Sequence, residues 1–197
     1  MLVNSSTIPD KKRLGIFGNN ILNDCSVAPL GGLEEVMYVF NADELTAVKS
    51  LTIKSLVTDL TLPVGKQGYK LVNFKKSANA KNELVVSDTL PDMYKQTIDF
   101  TAWAKNAATV TALDQLNNIV IVTENKDKGV AGESAFNIYG LDTALFKATL
   151  TQEVNVDGGV FKVSVSADGQ RVPFYNLFAT DYAATKARLE ALLIPQV

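Results

Sequence analysis

The strictest two-residue alternation in the chain runs through residues 92–102, and it constrains the fold more than any other feature. Tyr94, Gln96, Ile98 and Phe100 fall on one side of this segment, because successive side chains of a strand point to opposite faces. The residues between them are polar and fall on the other side. The segment therefore predicts a half-buried β-strand whose first face packs inward.

Other short apolar segments, separated by turn residues, also have the character of strands. Residues 119–122 are wholly apolar, as is typical of a strand that is buried on both faces. Asp157 and Gly158 form the commonest short hairpin signal. Further strand-like segments are residues 36–40, 51–57, 68–75, 135–140, 145–156 and 159–166. This succession predicts a mainly β chain of the α+β class.

Two segments have the pattern of helices that flank the sheet. The first covers residues 109–117, and either Thr109 or Thr111 is expected to be its N-cap because both have a side-chain hydroxyl. The second covers about residues 180–193 and opens with a polar pair at residues 180–181. We therefore expect one or two helices beside the strands.

Residues 1–32 differ from the rest of the chain and predict an N-terminal arm, followed by one domain over residues 33–197. The arm mixes glycine and proline with polar residues and short apolar pairs. An arm that stayed in water would not carry so many apolar side chains, so we expect it to cross a subunit boundary. The residues that we assign to a subunit interface are Leu14, Ile16, Phe17, Ile21 and Leu22 in the arm, and Phe174, Tyr175 and Phe178 after Pro173.

The composition points away from an enzyme. The 197 residues include no histidine and one cysteine, and the formal net charge is −2. Histidine and thiolate supply most general bases and most zinc ligands, so their scarcity removes the commonest routes to catalysis. We therefore expect no catalytic residue, no metal and no cofactor. No run approaches the ~18 apolar residues of a membrane span, and we expect no membrane partner.

From residue 32 onward, the order of these segments resembles that of phage tail tube proteins, especially those of Bacteroidetes phages and prophages. The resembling segments are residues 32–40, 69–74, 94–98, 109–117, 119–125 and 136–141. The resemblance implies an antiparallel β-sandwich or barrel-like domain with one or two flanking helices. It also implies assembly into stacked hexameric rings whose inner sheets line a channel for DNA.

The resemblance further implies a virion structural protein that is assembled in the host cytoplasm. Its partners would be its own copies, other virion proteins and DNA in transient, sequence-independent passage. The side of the strand that carries Lys95, Thr97, Asp99 and Thr101 is then expected to face the lumen. Its charges nearly cancel, and tight binding to DNA needs several unopposed cations. The same alternation also fits the outer face of a soluble monomer.

The helix expected at residues 180–193 departs from the compact tail tube pattern, which leaves alternatives open. One is a ring, connector or capsid-decorating protein of a short-tailed phage. Another is a non-viral β-sandwich module that binds a peptide or a carbohydrate, and a third is a small enzyme that uses carboxylates alone. The first two differ in a simple way, because a ring or connector assembles and a binding module stays monomeric.

Overall fold

A computed structural model describes residues 31–74, 77–89, 91–103, 106–154 and 158–196, and these residues form eleven β-strands and two α-helices. The strands are β1 (Leu33–Asn41), β2 (Thr46–Lys49), β3 (Leu56–Thr61), β4 (Tyr69–Val72), β5 (Asn79–Val85), β6 (Met93–Ala102), β7 (Asn117–Asn125), β8 (Phe136–Tyr139), β9 (Leu145–Gln152), β10 (Phe161–Gln170) and β11 (Tyr175–Leu177). The helices are α1 (Ala107–Asp114) and α2 (Tyr182–Ala191). The predicted mainly β, α+β fold class is confirmed.

Strand β7 is the centre of the sheet. One of its edges pairs with β1, and the other pairs with β8 over residues 121–124 and with β9 over residues 117–119. Two wings extend from it, β8-β11-β3-β2 and β9-β10-β6-β5, and β4 pairs with the outer edge of β1. The described pairings are antiparallel except for that of β11 with β3, which is parallel. These two strands are far apart in the chain, so no short hairpin constrains their relative direction.

The apolar side chains of β1 and β7 point alternately into two cores, which makes the domain sandwich-like. Met37, Val39, Ile119 and Ile121 belong to the first core, which β6, β9, β10 and α1 cover. The residues between them, Tyr38, Phe40, Val120 and Val122, belong to the second core, which β3, β8, β11 and α2 cover. The layers therefore run from the wing β9-β10-β6-β5, through the first core, the strands β1 and β7 and the second core, to α2.

Strand β6 has the inward face that its alternation predicts. Ile98 and Phe100 are buried in the first core, and Gln96 is fully buried between them and the β10–β11 connection. The buried amide is satisfied, because Gln96 Nε2 donates to the carbonyl oxygen of Pro173 at 2.8 Å and Gln96 Oε1 accepts from the amide of Gly140 at 2.7 Å. The burial of the Gln96 side chain therefore reduces the free energy of unfolding only slightly, since both ends of its amide are hydrogen-bonded.

Both helices are capped by side chains, and the cap of α1 differs from the expected one. The cap of α1 is Asn106, whose Oδ1 accepts from the amide of Thr109 at 2.8 Å, so the expectation of Thr109 or Thr111 as N-cap is wrong. Asn106 lies three residues before that expected start, and its side chain already satisfies the free amide of Thr109. The cap of α2 is Asp181, which accepts from the amide of Ala184 at 2.8 Å.

The segment 51–57 is not a strand throughout, which corrects the sequence analysis. Residues 50–55 form a turn in which Ser50 Oγ accepts from the amides of Thr52 and Ile53, each at 3.3 Å. The amide of Leu56 then bonds to the carbonyl of Ile53 at 3.1 Å, and β3 begins there. Alternation of apolar and polar residues alone does not distinguish such a turn from a half-buried strand, because it does not show whether the apolar side chains meet a core, and here residues 51–54 are all exposed.

Candidate assembly surfaces

The outer side of the wing β9-β10-β6-β5 is a polar face. The strand register places the outward side chains of these four strands next to one another. We call this surface the polar face; its members are Asn79, Lys81, Glu83, Lys95, Thr97, Asp99, Thr101, Thr149, Thr151, Lys162, Ser164, Ser166 and Asp168, with Val85 and Phe146 as apolar members. Its charged side chains are three lysines and three acids, so the formal charges cancel.

The charges of the polar face are paired across and along the strands. Lys81 Nζ lies 2.6 Å from a carboxylate oxygen of Glu83, and Lys95 Nζ lies 3.7 Å from one of Asp168. The hydrogen bond from Lys81 holds the pKa of Glu83 below its ordinary value, so this carboxyl is ionised at neutral pH. Pairs this exposed contribute little to stability, because solvent screens them. Their main effect is therefore on the local charge of the surface.

The four residues that we expected to line a lumen lie together on this face. Lys95, Thr97, Asp99 and Thr101 are on the side of β6 opposite the first core. The structure adds the neighbouring strand β5, which sequence analysis missed. Its residues Asn79, Lys81, Asn82 and Glu83 are polar on both sides of the strand, so no two-residue period was visible.

Three strands have an unpaired edge within the described residues. Strand β2 ends one wing, β5 ends the other, and β4 pairs only with β1. Open edges offer unpaired backbone groups to another chain, and exposed apolar side chains accompany all three. These side chains are Val48, Leu51 and Ile53 beside β2, Tyr69 and Val72 in β4, and Leu84, Val85 and Val86 beside β5.

A groove lies between β4 and α1 and encloses a cavity of about 530 Å³. Its walls include Tyr69 from β4, Trp103 from the end of β6, and Ala112 and Leu116 from the helical side. Tyr69 and Trp103 are each about half exposed, and Trp103 contacts Phe74 edge to face, with ring centroids 5.4 Å apart. The groove therefore presents two large aromatic side chains at the surface.

A buried cluster of charges fixes α2 to β7. The carboxylate of Glu124 accepts hydrogen bonds from Tyr182 Oη at 2.6 Å, from Lys186 Nζ at 3.1 Å and from Lys128. Burial alone would raise the pKa of Glu124, but these three hydrogen bonds lower it below its ordinary value. The ring of Tyr182 also stacks on Phe136, with centroids 5.7 Å apart. The cluster anchors the helix on the side of the domain away from the polar face.

A second polar cluster surrounds Asp142 and corrects one of the expected interface residues. Tyr175 Oη donates to Asp142 at 2.8 Å, and Lys49 Nζ lies 3.0 Å from the same carboxylate and 4.2 Å from the Tyr175 ring centroid. Tyr175 is only 3% exposed in the second core. Its side chain is therefore not available at the surface, because β11 is an internal strand of its wing. Tyr175 is thus removed from the residues expected at a subunit interface.

The other expected interface residues have different positions. Phe174 is half-buried and packs against Tyr139 in the first core, with ring centroids 6.3 Å apart, and Phe178 is also half-buried. Their role at an interface stays a prediction. The five apolar residues of the arm, Leu14, Ile16, Phe17, Ile21 and Leu22, lie outside the described residues.

In the described part of the chain, no group of three or more histidine, cysteine, aspartate or glutamate side chains is arranged to hold a metal ion. None of the described helices is long and apolar enough to cross a membrane. Comparisons with protein-family models, with curated proteins and with solved structures find no match to this chain.

Proposed function

We propose that the chain is a virion structural subunit, similar to a phage tail tube protein, that assembles into stacked rings around a channel for DNA. The observation that carries this proposal is the polar face, on which four strands present hydroxyl and amide groups and three charges of each sign. In this assembly the polar face lines the channel, and the partners of each subunit are its own copies and other virion proteins.

A charge-balanced lining suits the passage of DNA. Binding to DNA is driven by lysine and arginine side chains that replace the condensed counterions of the phosphates. Lys81 and Lys95 are each paired with a carboxylate on the same face, so they gain little by exchanging it for a phosphate. DNA can therefore pass such a surface without being held there.

The position of α2 also supports a tube or ring. Leu189 of this helix and its C-cap residue Leu192 are buried in the second core, which the strands β1 and β7 and the first core separate from the wing that carries the polar face. A ring with the polar face inside thus carries α2 on its outer side, where it leaves the channel free. The same arrangement fits a ring, connector or capsid-decorating protein. These three roles in the virion therefore remain alternatives to a tail tube subunit.

The test is direct observation of assembly. Purified protein is expected to form rings or tubes in negative-stain images and to show multiples of the subunit mass in mass photometry. The unpaired edges of β2, β4 and β5 supply groups that a neighbouring copy can pair, and repeated pairing in one direction closes a ring. A chain that remains monomeric at all accessible concentrations would contradict the proposal.

A binding module is the second candidate, and one observation favours it. A cavity of about 540 Å³ near the start of β1 is lined by Tyr139, Phe174 and several amide side chains, including Asn82 and Asn125. The Oδ1 atom of Asn82 is buried and has no hydrogen-bond partner among the described residues. Aromatic rings beside amides suit a carbohydrate or a peptide. A monomer that binds one of these in a glycan or peptide array would support this candidate instead.

A further inference from the structure

The cavity near the start of β1 lies beside a polar end of the first core. Tyr139 belongs to that core, Phe174 packs against it, and both form part of the cavity wall. Strand β5 contributes Asn79, Ala80 and Asn82 to the same wall. The volume of about 540 Å³ equals that of about 18 water molecules at ~30 Å³ each. Packed domains leave few voids larger than one water beside their cores, so a further segment or a ligand has room to pack here.

The described part of the chain begins at this cavity. Gly31 and Gly32 form part of its wall, and β1 starts with the next residue, Leu33. Residues 1–30 lie outside the described residues and precede Gly31 directly. Consecutive Cα atoms are 3.8 Å apart, so the segment before Gly31 starts beside the cavity.

The composition of residues 25–30, Cys-Ser-Val-Ala-Pro-Leu, matches that of the cavity wall. The segment carries no charge. Among the described residues that line the cavity, Asp127 alone is charged, and its Oδ1 already accepts from the amide of Gly129 at 3.1 Å. The apolar side chains of the segment, Val27 and Leu30, leave water when they pack against the aromatic rings in the wall, which is favourable.

The wall also has polar groups that an extended segment can satisfy. The Oδ1 atom of Asn82 is buried and accepts no hydrogen bond from the described residues. Asn82 belongs to β5, an edge strand whose outer side is unpaired within the described part of the chain. Pro29 favours an extended backbone at Ala28, and an extended segment presents backbone amides that can donate to such acceptors.

The length of this segment favours binding within one molecule. Six residues span at most about 22 Å when fully extended. A sphere with the volume of the cavity is about 10 Å across, so residues 25–30 can reach its walls without leaving their own subunit. A segment tethered this closely has an effective concentration in the mM range, which a second copy or a free peptide would have to exceed.

We propose that residues 25–30 bind in the cavity near the start of β1 of their own molecule and cover the polar end of the first core. This inference goes beyond the proposed assembly and does not depend on it. The apolar residues expected at a subunit interface, within residues 14–22, precede the segment, so the expectation for them is unchanged. A bound segment occupies the site of the second candidate function, the carbohydrate or peptide module.

The first test uses Cys25, the only cysteine of the chain, as a reporter. Ser134→Cys and Ala80→Cys each place a second thiol in the cavity wall. Glu35→Cys is the matched control, since Glu35 is exposed, lies four residues after Gly31 and is not part of the wall. Under mild oxidation, at least one wall variant should form an intramolecular disulfide about tenfold faster than the control, because binding keeps the thiols close. Non-reducing electrophoresis and thiol titration measure the rates.

The second test measures hydrogen exchange in the unmodified full-length chain. The amides of residues 26–28 and 30 should exchange at least about tenfold more slowly than those of an open segment. Val27→Asp should remove this protection and speed exchange at residues 79–82, since a carboxylate is disfavoured in a cavity with aromatic walls. Ile8→Asp is the matched control, because it places the same charge in the arm outside the segment, and it should leave both regions unchanged.

The outcomes separate this inference from the proposed function. Equal disulfide rates in the three cysteine variants would overturn it, and so would rapid exchange of residues 26–30 that Val27→Asp does not change. Disulfide-linked dimers whose yield rises with protein concentration would also overturn it, because the cavity would then hold the segment of another copy. A chain that stays monomeric but forms the intramolecular disulfide rapidly would contradict the ring proposal and leave this inference standing.

Discussion

Strands β6 and β7 have similar lengths, 10 and 9 residues, but they are buried in different ways. In β7 all residues from 119 to 124 are buried, since the first core lies on one side and the second core with α2 on the other. In β6 burial alternates, since only its inner side meets a core. The comparison shows which side of the domain is left uncovered by the residues that the structure describes, and that side is the polar face.

The largest expected effect tests this comparison with single charges. Val120→Asp and Ile121→Asp should each destabilise the domain by more than about 4 kcal/mol, because neighbouring residues of β7 point into different cores. On β6, Ile98→Asp should destabilise the domain by a similar amount, whereas Thr97→Asp should lower the free energy of unfolding by less than about 1 kcal/mol. Urea unfolding of the four variants measures these differences, and equal losses from Thr97→Asp and Ile98→Asp would reject the assigned faces of β6.

The second effect compares a buried carboxylate with an exposed one. Glu124→Gln should cost about 3 kcal/mol, since it leaves Lys128 and Lys186 without their buried anion. Glu83→Gln on the polar face removes an exposed partner of Lys81 and should leave the free energy of unfolding almost unchanged, because solvent screens this pair. Thermal or urea unfolding measures both, and similar values for the two variants would show that the Glu124 cluster does not anchor α2.

The pH dependence of stability should sharpen the same contrast. The pKa of Glu124 is lowered in the folded state, so the unfolded chain binds more protons at this site when the pH falls below about 4.3. The stabilisation by Glu124 is thus present above that pH and is lost as the pH falls through the folded-state pKa. The melting temperature of the Glu124→Gln variant should therefore decline less between pH 6 and pH 3 than that of the unmodified chain. Equal declines in the melting temperatures of the variant and the unmodified chain would contradict this prediction.

The smallest expected effect concerns DNA. The unmodified protein should bind duplex DNA weakly at physiological salt, and any binding at low salt should fade as salt is added. Replacing Glu83 and Asp99 by lysine leaves the polar face with unopposed cations, and affinity at low salt should rise about tenfold with a steeper salt dependence. Fluorescence anisotropy with a labelled duplex measures this. Sequence-specific binding by the unmodified chain at moderate salt would contradict the channel proposal.

Sequence analysis was most successful where a pattern is local. The two-residue period of β6 gave its buried side correctly, and the position of Asp181 before an amphipathic segment located α2. It was less successful where a strand has no clear period. Strand β5 is polar on both sides, and the exposed turn at residues 50–55 alternates as a strand does, so neither was interpreted correctly.

The sequence by itself determined the mainly β class, the inward side of β6, the doubly buried character of residues 119–122 and the position of α2. Each of these depends on neighbours a few residues apart, because backbone geometry sets the period of side-chain directions. Only the tertiary structure decided that β5 extends the polar face, that Tyr175 is buried beside Asp142, and that Glu124 gathers Lys128, Tyr182 and Lys186 around it. These features depend on which distant strands pair and which faces other elements cover, and long-range packing, rather than local periodicity, selects both.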